Sequence, residues 1–113
     1  MASLRFDGLY HSGGDFLRFY PDGDVVVASS NGTPEQIAQW ISRTSDTPVG
    51  YSVKGDQIRF DLWIERGEDG LIGGAIVYSG RVADDGLHLR VTSEVTNYDA
   101  TNVYKFFAAK LSG

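Results

Sequence analysis

The sequence predicts an all-β domain, an antiparallel up-and-down barrel of eight strands with one short helix between strands 3 and 4. Three observations carry this. A Pro-Asp-Gly turn at Pro21 to Gly23 joins two runs rich in Phe, Tyr and Val, which favour a pleated, half-buried surface. Residues 57–65 alternate strictly, with Ile58, Phe60, Leu62 and Ile64 on one face and Arg59, Asp61, Trp63 and Glu65 on the other. The 14 glycines recur at turn positions throughout.

The elements follow in order. Residues 3–12 form a first strand with Leu4, Phe6, Gly8 and Tyr10 on one face, ended by the Gly13-Gly14 turn. The hairpin over 16–30 carries Leu17 and Phe19 on one face and Phe16, Arg18 and Tyr20 on the other, so both faces present aromatic surface. Thr33-Pro34-Glu35-Gln36 supplies a helix start: an N-cap threonine, proline at the first helical position and a glutamine three residues beyond the cap. A helix over 34–43 follows, with Ile37, Trp40 and Ile41 in one apolar stripe. Residues 42–47 form a polar loop closed by Pro48.

The chain then becomes a meander. Strands at 50–54, 57–65, 71–82, 87–92 and 102–111 are separated by turns at Gly55-Asp56, at 66–70 and at Asp84-Asp85-Gly86, and by a polar loop over 97–101. Gly73, Gly74 and Gly80 in the long sixth strand indicate a bulge, a bend or close backbone approach. Eight sequential strands close on themselves and enclose room for side chains or one small ligand.

The 113 residues make one domain, 1–113, large enough for a core without staples. No cysteine is present, which removes disulfides, thiolate metal sites and cysteine nucleophiles. The start lacks a basic and apolar leader and no run approaches a membrane span, so the expectation is a soluble cytoplasmic protein that engages no membrane. The formal charge of −5 is scattered, with no basic stripe for nucleic acid.

The motifs name no reaction. His11-Ser12-Gly13-Gly14-Asp15 holds triad residue types, but triads are assembled from separate elements, and a polar turn accounts for it. His88 alternates with Leu87 and Leu89 and reads as a solvated or hydrogen-bonded histidine or as a lone general base. Glu68-Asp69-Gly70 and Asp84-Asp85-Gly86 read as turns rather than calcium loops, no metal-ligand spacing is present, and Gly73-Gly74 lacks a P-loop lysine. No cofactor is implied.

A polar and aromatic set recurs on strand faces: Arg18 and Tyr20; Arg59, Asp61 and Trp63; His88 and Arg90; Tyr104. If these faces line the barrel they form a pocket with apolar walls and a few convergent donors. The other arrangement puts them outside and fills the interior with Ile58, Phe60, Leu62, Leu87, Leu89 and Val91; the aliphatic set is the more natural core. In that case a cavity between helix and barrel mouth would have Trp40 as its lid.

Phe6-Asp7-Gly8-Leu9-Tyr10 is similar to the Gly-x-Trp/Tyr signature of calycins, and the 50–60 hairpin and the closing run Val103-Tyr104-Lys105-Phe106-Phe107 resemble a small lipocalin-like barrel. Phe6 to Tyr10 followed by Phe16 to Val25 also resembles the β-rich C-terminal domain of certain F-box proteins. The helix between strands 3 and 4 departs from both calycin helix placements. The first resemblance implies a concave interior and a small, partly apolar or amphipathic ligand, with Tyr10, Arg18, Phe19, Tyr20, Trp40, Tyr51, Trp63 and Tyr104 as candidate ligand-binding residues. The second implies a protein-interaction or structural domain with a filled barrel. A small barrel enzyme using Tyr, His or Asp for proton transfer is a third reading.

Overall fold

The computed structural model describes residues 3–43, 48–64, 74–93 and 98–111, with the side chains of Trp63 and Ile64 outside the description. Eight strands run β1 (Gly8–Ser12), β2 (Asp15–Phe19), β3 (Asp24–Ser29), β4 (Val49–Lys54), β5 (Gln57–Ile64), β6 (Gly74–Ala83), β7 (Gly86–Ser93) and β8 (Asp99–Ala108), with α1 (Pro34–Ala38) between β3 and β4. Each pairs antiparallel with its sequence neighbour, and β8 returns to β1 to close the barrel. Every strand has a neighbour on both sides, with the β3–β4 seam the shortest, pairing only Asp24 with Gly50 and Val25 with Val49.

The period of two sorts the side chains. Phe60 lies opposite Tyr78, which lies opposite Val91; Ile58 lies opposite Gly80, which lies opposite Leu89. These inward rows join Tyr10, Leu17, Phe19, Val25, Val82, Leu87 and Tyr104 in one buried cluster. The aliphatic set therefore fills the interior, while Arg59, Ser79 and Arg90 form an outward row. At the waist the rings interlock: Phe19 meets Tyr10, Tyr51 and Phe60 edge-on at 5.7, 5.1 and 5.8 Å, and Phe60 stacks on Tyr78 at 4.6 Å. Such offset and edge-to-face pairs add to burial.

Gly80 is required where β6 passes β7, since a Cβ there would collide with the His88 carbonyl. The close approach expected at this glycine is thus present. Gly86, at φ +135°, faces the Tyr104 carbonyl in the same way.

A second core lies outside the barrel. Leu9, Phe16, Tyr20, Val26 and Ala28, on the outer faces of β1 to β3, are covered by Ile37, Ala38 and Ile41. This is why the first hairpin carries apolar surface on both faces. Fully burying each isoleucine contributes about 1.5–3 kcal/mol. Thr33 and Gln36 complete a capping box, Gln36 N donating to Thr33 Oγ1 and Thr33 N to Gln36 Oε1 at 3.3 and 3.0 Å.

Several expectations need correction. The helix lies on the outer wall and not over the barrel mouth, and it ends at Ala38 rather than near 43, with a further turn bringing Ile41 inward while Trp40 stays 43% exposed. Arg18 fixes that turn, its Nη1 donating to the Ile41 carbonyl at 2.7 Å. Strand β1 starts at Gly8; Leu4 instead packs on the barrel core, and Arg5 N donates to the Tyr10 hydroxyl at 3.0 Å. Strand β8 already begins at Asp99, where the Arg90 guanidinium grips the carboxylate through two bonds of 2.9 and 2.7 Å. The turn expected at 66–70, with Gly73 and the first residues of the sixth strand, lies outside the described residues. Among the described residues no helix is long and apolar enough to cross a membrane.

Candidate functional site

The two ends of the barrel differ. At the end bearing the β2–β3, β4–β5 and β6–β7 turns, the segment 3–7 crosses the opening, with Leu4 against the core and the Arg5 guanidinium 4.1 Å from the Phe106 ring centre. A recess of about 220 Å³ remains there, lined by Ser3, Arg5, Tyr10, Ala83, Asp84, Gly86 and Phe106. At the opposite end, where the Gly13-Gly14 turn lies, the inward positions are Ser12, Asp15, Val27, Ser29, Leu62, Ile76, Ser93, Ala100 and Asn102.

Val27, Leu62 and Ile76 pack on the barrel core yet keep partial exposure, whereas Leu17, Phe60, Tyr78, Val91 and Tyr104 beneath them are buried. These three inward side chains are partly exposed beside Ser12, Ser29, Ser93 and Asp15, and residues 65–73 and 94–97, which join strands at this end, lie outside the described residues. Ser29 Oγ donates to Asp15 Oδ1 at 2.9 Å across the β2–β3 pair.

Burial pushes the Tyr78 hydroxyl up to about 12, with the Asp15 carboxylate adding to the shift. Tyr104 is pushed up further, by burial first and then by Tyr78 and Asp15, while a hydrogen bond from Asn102 works the other way. Both phenols are neutral at ordinary pH, where they serve as hydrogen-bonding groups and not as bases.

The sequence-nominated residues do not share one surface. Tyr10, Phe19 and Tyr104 are interior, and Tyr51 sits half-buried at the β3–β4 seam, its hydroxyl donating to the Tyr20 carbonyl at 2.6 Å. Arg18 and Tyr20 lie on the outer wall in the second core, the Arg18 guanidinium 4.6 Å and that of Arg43 4.0 Å from the Tyr20 ring centre. Trp40 is outside the barrel, and the Trp63 side chain lies outside the described residues. The polar set thus does not converge: Arg59, Asp61, His88 and Arg90 face outward and Tyr104 inward.

His11 faces outward beside Phe16, whereas Ser12 and Asp15 face inward, so no triad forms. His88 pairs at 2.8 Å with Asp85 on the surface, which holds that carboxyl below its usual range. Among the described residues no group of three His, Asp or Glu is placed to hold a metal ion. Reading the sequence missed Tyr78 and Asn102, together with Val27 and Ile76, and placed Leu62 in a filled interior and Asp15 in a polar turn. The alternation does reach them once the hairpin partners are known.

Fold and site define a small, closed, antiparallel barrel, crossed at one end by residues 3–7 and carrying partly exposed inward side chains at the other. Compared with protein families, curated proteins and solved structures, the chain shows no significant match to any.

Proposed function

We propose that the protein binds a small, partly apolar molecule in the manner of a lipocalin-like barrel, through the end above Tyr78 and Tyr104. One observation carries this reading: Val27, Leu62 and Ile76 face inward and still meet solvent. Apolar walls over a few convergent polar groups are the usual form of a small-molecule pocket. The ring-filled waist limits the ligand to the upper half of the barrel, and the phenols with Asp15 and Asn102 favour a ligand that carries a hydroxyl or amine. Proton-transfer chemistry is the weaker reading, since neither phenol is poised to ionise near neutral pH.

The test is native mass spectrometry of freshly purified protein beside its denatured mass, followed by titration with the dye 8-anilinonaphthalene-1-sulfonate as a probe. A reproducible adduct lost on denaturation, together with dye binding that Ile76→Arg abolishes, supports the reading. A clean mass and dye binding indifferent to Ile76→Arg refute it. The second reading, a protein-interaction domain with a filled barrel, is favoured by Phe6 and Trp40, large apolar side chains 40% and 43% exposed.

A further inference from the structure

A depression lies on the outer wall over β4, β5 and β6. It is a groove of about 540 Å³, lined by Ser52, Lys54, Asp56, Gln57, Arg59, Ser79, Gly80 and Arg81 with an edge of Ile58. Its volume falls inside the range of about 300–1,000 Å³ of small-ligand clefts. The register explains its shape. Ser52, Arg59 and Ser79 lie side by side in one outward row, and Lys54, Gln57 and Arg81 in the next. The short side chains of Ser52 and Ser79 form the floor and the long cationic ones form the walls.

The charge is local. In a chain of net −5, three cations surround this one depression. Lys54 and Arg81 flank Gln57 from the two neighbouring strands, about 10 Å apart by strand spacing, and Arg59 stands two residues along β5, about 7 Å away. Long side chains span those distances to a common centre. Among the described residues Lys54 and Arg81 make no ion pair within 4 Å, although Arg81 stands near enough to Asp85 to help hold that carboxyl down, and Arg59 has a 3.6 Å contact with Asp61. By contrast, Arg90 in the same outward row is held bidentately by Asp99. Two guanidiniums and an ammonium around one cleft match the oxygens of a phosphate group.

Asp56 narrows the class of ligand. Its backbone carbonyl accepts from Val82 N at 2.7 Å, fixing the β4–β5 turn against β6, and the residue lines the same groove. A carboxylate there repels a bare anion and accepts hydrogen bonds from a hydroxyl, as Gln57 also can. We propose that this groove is a second binding site, for a phosphorylated polyol of sugar-phosphate type, with Arg59, Arg81 and Lys54 on the phosphate and Asp56 and Gln57 on the hydroxyls.

The experiment is an amide chemical-shift titration of the full chain with glucose 6-phosphate, glucose and inorganic phosphate in parallel, followed by calorimetry. Glucose 6-phosphate is expected to shift Ser52, Arg59, Ser79 and Arg81 and to bind at least about tenfold more tightly than either fragment, the equivalent of one well-formed charged contact. Arg59→Gln with Arg81→Gln should weaken it by at least about tenfold at unchanged melting temperature, Asp56→Asn should narrow the gap to inorganic phosphate, and Arg90→Gln should change nothing. Inorganic phosphate binding as well as glucose 6-phosphate, shifts that survive the double substitution, or no shifts at about 10 mM ligand would overturn the proposal.

Discussion

Phe60 and Arg59 are adjacent in sequence and face opposite sides of the barrel wall, so truncating each to alanine tests the assignment of inside and outside directly. Phe60 is 2% exposed, stacks on Tyr78 at 4.6 Å and meets Phe19 edge-on at 5.8 Å. Removing such a ring from a packed core costs about 3–5 kcal/mol, transfer and residual cavity together. A chain of 113 residues has a total stability of about 6–17 kcal/mol. Phe60→Ala should therefore fold, with a melting temperature lower by about 15 °C at roughly 4 °C per kcal/mol. The Arg59 side chain is 63% exposed with one long contact to Asp61, so Arg59→Ala should move the midpoint by no more than about 2 °C. Thermal melts by circular dichroism and urea titration of both variants measure this. Equal losses, or a greater loss in Arg59→Ala, would show that the barrel is turned the other way and would remove the interior site with it.

Three further outcomes are expected. Burial raises the Tyr78 hydroxyl, so its contribution to stability is complete below the ordinary phenol value near 10 and is lost as pH rises through about 12. Urea midpoints should accordingly fall steeply across that window, and Tyr78→Phe should flatten the fall. Thr33→Ala removes one half of the capping box and should cost about 1 kcal/mol, read as a small drop in melting temperature with greater proteolytic sensitivity near Trp40. Gly86→Ala drives a Cβ into the Tyr104 carbonyl at a φ of +135°, whereas Gly13→Ala, at φ +55°, meets no neighbour. The first should abolish soluble expression or cost well over about 2 kcal/mol and the second about 1 kcal/mol, compared in the same melt.

How much of this was legible in the sequence depends on the range over which each feature is determined. Strict alternation from Gln57 to Ile64, the Thr33 capping box and the paired-residue turns are local, and they supplied the strand order, the helix start and the aliphatic interior. The helix position was not legible, because Ile37 and Ile41 specify only that one face is buried, not against which surface. The aromatics on both faces of the first hairpin held the missing information: a strand apolar on both sides needs two partners. The start of β8 was obscured because Asp99 to Thr101 read as a polar loop until Arg90 on the neighbouring strand provides the counter-charge. The inward polar groups escaped notice for a similar reason. Asp15, Tyr78 and Asn102 come from three distant strands, and only closure of the barrel brings them into one interior.

Closure itself has a temporal consequence. β1 pairs with β8 from Gly8 opposite Ala108 to His11 opposite Lys105, so the first strand finds its second neighbour only near the far end of the chain. During synthesis, when sequence-adjacent hairpins assemble first, β1 waits with an open edge until β8 emerges. Contacts of such long sequence separation slow the final step of folding. For that interval Tyr10 and Leu9 lack the strand that will stand beside them, which makes the emerging first hairpin the segment most in need of shielding from other nascent chains.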